Sequence, residues 1–208
     1  MKLHVFPPSP RAFKVLALAN HLGLDYELKL VDLTKWEQLR PDFAALNPNK
    51  KMPVLEDDGF VLWESNAILQ YLAAKKAESG LLPTDSRLRA EVNRWQFWEI
   101  ANWDPACIAL VFERVVKPAL GLGEADPAKV KEAEGNFQRY AEVLNGNLRG
   151  RKFVTGNNLT VADFSIGAWL NLAEPANYPL GAYQEIKRWH AELMELPAWR
   201  RSIPATPS

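Results

Sequence analysis

The sequence predicts an α/β domain of order βαβ-ββα followed by an all-α domain, and three observations carry that prediction. Strand, helix and strand patterns follow one another between Leu3 and Val31. An Asp58-Gly59 pair sits between two short apolar runs. Beyond residue 86 the apolar repeats have helical spacing, with no convincing strand.

Leu3-His4-Val5-Phe6 reads as a strand, and Tyr26-Glu27-Leu28-Lys29-Leu30-Val31 alternates apolar and polar as a second. Between them Ala12, Val15, Leu16, Ala19 and Leu22 recur at the spacing of a helix with one buried face, and Gly23 follows as a left-handed cap, so residues 10–22 are a helix. Strand, helix, strand at this length is a βαβ unit with parallel strands. Residues 32–46 are polar and irregular, with a short helical turn at 42–46. Val54-Leu55-Glu56 and Phe60-Val61-Leu62-Trp63 flank the Asp-Gly pair and should pair antiparallel. Glu64-Ser65-Asn66 opens another helix, with Ala67, Ile68, Tyr71 and Leu72 on one face. The order βαβ, then ββα, is the thioredoxin-like arrangement and fills a domain over residues 1–76.

Residues 75–85, with Gly80 and Pro83, interrupt the helical pattern as a linker. The all-helical domain then spans 86–208. Its first stretch, 86–116, is rich in aromatics, and Pro105 should kink or split it. Asp126-Pro127 is an N-cap and first-position pair for a helix carrying Val130, Ala133, Phe137, Tyr140, Ala141, Leu144 and Leu148. Thr160-Val161-Ala162-Asp163 has capping-box spacing, flanked by Leu159 and Phe164 as a hydrophobic staple, and is read as structural. Two helices, around 183–196 and 198–201, end the chain.

Twenty-five basic residues balance 25 acidic ones, and there is no run of five like charges, so nothing favours nucleic acid or an anionic membrane surface as a partner. Small molecules or another copy of the chain are the expected partners. No apolar stretch is long enough to span a bilayer and the N-terminus has no signal-like apolar region, so the expected location is the cytoplasm. The single Cys107 excludes an internal disulfide and a Cys-rich metal site, and His4, His21 and His190 have no ligand spacing, so no metal is expected. Eight tryptophans either pack the core or line a pocket for flat apolar ligands.

The chain is organised around Phe6-Pro7-Pro8-Ser9-Pro10-Arg11-Ala12, where the first strand gives way to the first helix. Pro10 suits the first helical position, which makes Ser9 the N-cap. Its hydroxyl either only caps, or also donates outward at a place where free N–H groups and the helix dipole favour an anion. A thiol bound there would ionise more readily.

A thioredoxin-like domain joined to a helical one resembles the soluble glutathione transferases when it carries these motifs in this order. They are Ser9 with Val15 six residues on, Asn47-Pro48, Met52-Pro53, Glu64-Ser65 and Leu159-Thr160-Val161-Ala162-Asp163. The resemblance covers essentially the whole chain. It is closest to the serine-type classes, such as phi, theta and delta. Phe6 stands in the strand-end region where tyrosine-type classes carry their catalytic Tyr, and no Cys lies near Ser9 as in the omega and beta types.

The resemblance implies an enzyme that conjugates reduced glutathione, as co-substrate and without another cofactor, to a small apolar electrophile. Ser9 would donate a hydrogen bond to the glutathione sulfur. Met52-Pro53 looks like the family's cis-proline, whose preceding backbone pairs with the cysteinyl unit; a trans Pro53 starting an edge strand is the alternative. Glu64 and Ser65 match the pair that holds the γ-glutamyl end, although by themselves they serve equally as dipole complement and cap. Lys51 lies where a basic group could meet the glycyl carboxylate, with Gln38 and Arg40 at the same end; solvated loop charge is the alternative for all three. Trp103, Cys107, Leu110 and Phe112 are candidate walls for the second substrate, with core packing as the competing use. Homodimerisation is also implied.

Two positions depart from the family pattern. Lys50 stands where the family commonly has glycine, and Phe13 stands where several serine-type members carry arginine, flanked by Arg11 and Lys14. Two other functions fit the same motifs. Glutathione-dependent disulfide or peroxide reduction needs the same thiolate, and a transferase-like binding module needs none.

Overall fold

Leu3 and Val5 of the first strand are fully buried while Lys2 and His4 between them are not, the period-2 pattern of a strand with one face on a core. In the computed structural model, which describes residues 1–204, that strand is β1 (Lys2–Val5). It is followed by α1 (Pro10–His21), β2 (Glu27–Leu30), α2 (Pro41–Leu46), β3 (Val54–Asp57), β4 (Phe60–Trp63) and α3 (Ser65–Ala74). The sheet order is β2-β1-β3-β4, with β1 parallel to β2 and antiparallel to β3, and β3 antiparallel to β4. This is the thioredoxin-like βαβ-ββα order.

The expected turn residues do their work. Asp58 and Gly59 both take positive φ, 48° and 84°, the mirror-image turn that a two-residue hairpin needs. Gly23 closes α1 at φ 61°. Two short 3₁₀ turns, Leu33–Lys35 and Glu37–Leu39, occupy the segment expected to be irregular. The buried face of α3 is rotated from the expected one: Ile68, Leu69, Leu72 and Ala73 are buried, Ala67 is exposed, and Tyr71 is half-buried. The buried stripe is the apolar set Ile68, Leu69, Leu72 and Ala73, and at its edge the Tyr71 hydroxyl donates to Asp57 at 2.8 Å, where Lys75 also pairs with the carboxylate.

The described residues divide into two compact units, Met1–Leu82 together with 194–204, and Pro83–Leu193. The second unit so defined is shorter at its far end than the expected helical domain of 86–208. The last helix of the chain, Pro197–Ser202, packs with the first unit, against α1. Trp199 is fully buried and meets Phe13 edge to face at 5.0 Å, and Asn20 Nδ2 donates to Ser202 Oγ at 2.7 Å.

The second unit begins with a long helical run: α4 (Ser86–Trp98), a π turn (Glu99–Trp103), α5 (Asp104–Val111), a second π turn (Phe112–Val116) and α6 (Lys117–Ala119). Pro105 neither splits this run nor ends it. The π turn lies directly before it, and the proline, whose ring cannot donate, occupies the opening turn of α5. Then come α7 (Pro127–Leu148), α8 (Val161–Gly167) and α9 (Gln184–Met194), before α10 (Pro197–Ser202) of the first unit. Asp126 caps α7 as expected, accepting from the N–H groups of Ala128 and Lys129 at 2.9 and 3.4 Å.

Asp163 does more than complete a capping box. Its fully buried carboxylate accepts from Thr160 N at 2.9 Å, Thr160 Oγ1 at 3.2 Å, Val154 N at 2.8 Å and Trp189 Nε1 at 3.0 Å. Burial pushes its pKa up to about 6 against the pull of those four donors. Asp163→Asn would turn an NH₂ group toward one set of donors, so it should lower the free energy of unfolding by roughly 1–3 kcal/mol in a denaturant titration. His190 supplies a pH dependence of its own. Burial lowers its pKa from 6.5 to about 4, so the unfolded chain binds the extra proton between those values. Stability from this residue is present above pH 6.5 and lost as pH falls toward 4. The denaturant midpoint of His190→Gln should fall less steeply over that window than the parent's.

Candidate functional site

Register decides which loops meet. In β1 and β3, His4 lies opposite Val54; in β3 and β4, Val54 lies opposite Trp63; in β1 and β2, Val5 lies opposite Leu30. The C-terminal ends of β1, β2 and β4 and the start of β3 therefore share one end of the sheet. The segments continuing from them are Phe6–Ser9, the loop from Val31 to Arg40, Met52-Pro53 and Glu64-Ser65. Helices α1 and α3 both begin here, so their unpaired N–H groups and positive dipole ends lie at this end too.

Ser9 occupies the N-cap position of α1, with φ −73° and ψ 127°. Its backbone is engaged: Ser9 N donates to Phe6 O at 2.9 Å, and Ser9 O accepts from Phe13 N at 2.8 Å. Its partly exposed side chain makes no capping hydrogen bond. Of the two uses open to that hydroxyl, capping is the one the structure does not employ.

The Met52-Pro53 bond is cis. Met52 is buried with Val31, Phe43 and Val54, and Phe6 packs against the same cluster. Asn47 organises the loop ahead of it: 3% exposed, it donates through Nδ2 to Lys51 O at 2.5 Å, and its Oδ1 accepts from Asn49 N at 3.0 Å. Lys50, standing at the family's glycine, still takes the left-handed conformation at φ 54°, so the loop keeps the glycine-like turn with a side chain on it. Lys51 itself is exposed.

Glu64 has φ 72° and ψ 110°, an unfavourable backbone for a residue with a side chain, and it leads directly into α3. That geometry leaves Glu64 exposed and Ser65 4% exposed at the first position of the helix. Gln38 carries a buried Oε1 with no hydrogen-bond partner among the described residues. Arg40 pairs with Glu37 at 3.1 Å and lines a different crevice, with His4, Lys29, Phe43 and Leu46, that shares no residue with the other segments.

The expected walls of the second-substrate site are corrected by the structure. Trp103, Cys107 and Leu110 are fully buried in the core of the second unit. The Trp103 ring packs on Phe137 at 4.8 Å and its Nε1 donates to Ile166 O at 3.2 Å, while burial pushes the Cys107 thiol far above its usual range. Only Phe112, 42% exposed, has surface to offer. Phe13 is likewise committed, to Trp199. Among the described residues no cluster of His, Cys, Asp and Glu could hold a metal ion, and no helix is long and apolar enough to cross a membrane.

A thioredoxin-like unit with a cis-proline between two helix starts, in one chain with a helical unit, defines a class of two-domain proteins. The comparisons with known proteins agree with that class. The model for the glutathione S-transferase N-terminal domain matches residues 1–74, and that for the C-terminal domain matches residues 103–197. The chain is 34% identical over its full length to glutathione S-transferase 3 of Zea mays, covering 95% of that protein. Glutathione transferase F7 of Populus trichocarpa superimposes with a TM-score of 0.89 at 27% identity, over 97% of this chain and 96% of that one. A Burkholderia graminis glutathione transferase, solved with two glutathione molecules bound per subunit, superimposes at 0.84 with 28% identity, over 97% of this chain and 86% of that one. The chain belongs to the glutathione S-transferase family.

Burial separates the two uses considered for the aromatic helix. Trp103→Ala should cost about 3–5 kcal/mol of stability, as truncation of a buried aromatic does. Phe112→Ala should leave the thermal midpoint close to the parent's. A Trp103→Ala protein as stable as the parent would return that residue to the list of pocket walls.

Proposed function

We infer that the chain is a glutathione transferase that conjugates reduced glutathione to apolar electrophiles, with Ser9 stabilising the thiolate. The observation that carries this reading is the Ser9 hydroxyl: it stands at the start of α1, at the shared sheet end, with no capping bond to make. Donating to the glutathione sulfur, it lowers the free energy of the thiolate relative to the thiol, and the helix start adds positive potential. Ser9 is not the nucleophile. The sulfur attacks the electrophilic carbon, a C–S bond forms, and the leaving group departs with its electron pair.

The rest of the tripeptide follows the same sheet end. The backbone of Met52, before cis-Pro53, pairs with the cysteinyl unit. The Ser65 hydroxyl and the N–H groups opening α3 take the γ-glutamyl carboxylate, and Glu64 takes its ammonium. Lys51 meets the glycyl carboxylate, with Gln38 beside it; the pairing of Arg40 with Glu37 makes it the weakest member of the set. The electrophile is small and apolar, and of the four residues expected to wall its site Phe112 alone remains. The reading includes a homodimer and a cytoplasmic location.

The test is the ultraviolet thiolate absorbance of bound glutathione titrated against pH. The bound thiol should ionise well below its free value in the parent and higher in Ser9→Ala, with turnover down about one to two decades, since a hydrogen bond to a charged group is worth roughly 1.5–3 kcal/mol at about 1.36 kcal/mol per decade. Unchanged ionisation and turnover in Ser9→Ala would reduce Ser9 to a helix start.

A further inference from the structure

α1 carries a charged side chain into the interior of the first unit. Lys14 is 1% exposed in a turn whose neighbours Ala12, Phe13, Val15 and Leu16 are all buried too, and its Nζ donates to Asn66 Oδ1 at 2.9 Å. Burying an ammonium is unfavourable unless hydrogen bonds and opposing groups compensate it, and an aliphatic side chain would fill the same space without that penalty. The place where Lys14 is held suggests why it is there. Asn66 is the second residue of α3, directly after Ser65 and two after Glu64, whose φ of 72° sets the entry to the helix. The bond thus ties α1, whose first turn carries Ser9, to the turn that takes the γ-glutamyl end.

We propose that Lys14 is a positioning residue for glutathione: through Asn66 it holds the Glu64-Ser65 turn in its ligand-binding geometry, and its buried charge favours the carboxylate bound there. The proposal rests on the placement of the γ-glutamyl end at Glu64 and Ser65. Two physical effects act together. Fixing the Asn66 side chain orders the first turn of α3 before the ligand arrives, so less ordering remains to oppose binding. A charge in the interior is also screened less by salt and water than a surface lysine would be. A lysine that only packed its stem against the core would do neither.

The experiment measures the dissociation constant of reduced glutathione itself by titration calorimetry, without any electrophile, in the parent, Lys14→Met, Lys14→Arg, Asn66→Ala, the Lys14→Met/Asn66→Ala double variant and Ser65→Ala. Lys14→Met keeps the stem and removes the ammonium, and should weaken binding about tenfold, the scale of one hydrogen bond to a charged group. Asn66→Ala should weaken it several-fold, and the double variant should be no weaker than the worse single one, since both remove the same link. Lys14→Arg, which keeps charge and donor, should recover part of the loss.

Binding within about twofold of the parent in both Lys14→Met and Asn66→Ala would overturn the proposal, as would losses that simply add. If Lys14→Met does not fold, Asn66→Ala and Lys14→Arg decide. Ser65→Ala separates this failure from a deeper one. If Ser65→Ala weakens binding while the other variants do not, only the role of Lys14 falls. If Ser65→Ala also binds as the parent does, the γ-glutamyl placement falls and the proposal with it.

Discussion

The pairing of β3 between β1 and β4 is the constraint on which the rest of the first unit depends. Leu55 and Val54 are fully buried, and so are Leu3 and Val5 of the neighbouring strand. A slip of one residue would turn Leu3 and Val5 of β1 to the face that Lys2 and His4 occupy, so burial holds the register. Register in turn sets His4, Val54 and Trp63 in one row, and the chain just beyond that row supplies Phe6 to Ser9, Met52-Pro53 and Glu64-Ser65. They are delivered to one end of the sheet by apolar residues that take no part in the chemistry. The unfavourable backbone of Glu64 is tolerated for the same reason, because strand and helix on either side of it are already fixed.

The second unit solves a different problem, that of making a tryptophan-rich core specific. Indole rings bring large apolar area and one N–H that needs an acceptor. Trp103 donates to Ile166 O, Trp189 to Asp163, and Trp169 to Glu99, at 3.2, 3.0 and 3.1 Å. Glu99 is fully buried in the first π turn and also receives the Ser165 hydroxyl at 3.1 Å. The two carboxylates and their indole donors come from segments far apart in sequence, so satisfying them selects one packing of the helices over its near alternatives. The interior thus accounts for Trp103, Trp169 and Trp189, whereas Trp36 and Trp63 of the first unit are exposed.

Much of this was legible in the residues, and the reasons for success and failure differ element by element. Asp58-Gly59, Gly23 and Asp126-Pro127 were readable because each meets a purely local demand on φ or on an unpaired N–H. Ser9, Met52-Pro53 and Glu64-Ser65 were readable as a set, since the order of strands and helices brings their flanking elements to one end of the sheet. What stayed hidden depends on partners distant in the chain. The partner of the Tyr71 hydroxyl is the Asp57 carboxylate, which no periodicity within α3 reveals. Trp103, Cys107 and Leu110 have the composition of a pocket wall and the environment of a core, and only packing tells the two apart. Lys14 stands out in the sequence only as a neighbour of the family's arginine position, and the contact with Asn66 is visible only in the fold.

The packing of α10 on α1 makes the first unit discontinuous along the chain. Asn20 and Ser202 meet across 182 positions, and Phe13 is covered by Trp199. As the polypeptide leaves the ribosome, the sheet and its helices are complete long before the helix that covers α1 exists, and for most of synthesis the Phe13 ring stays uncovered. Closing a loop of that size carries an entropic penalty that the local hairpin and βαβ contacts do not. The first unit is therefore finished last, and a fragment ending at the linker would leave that apolar face open to association with other chains.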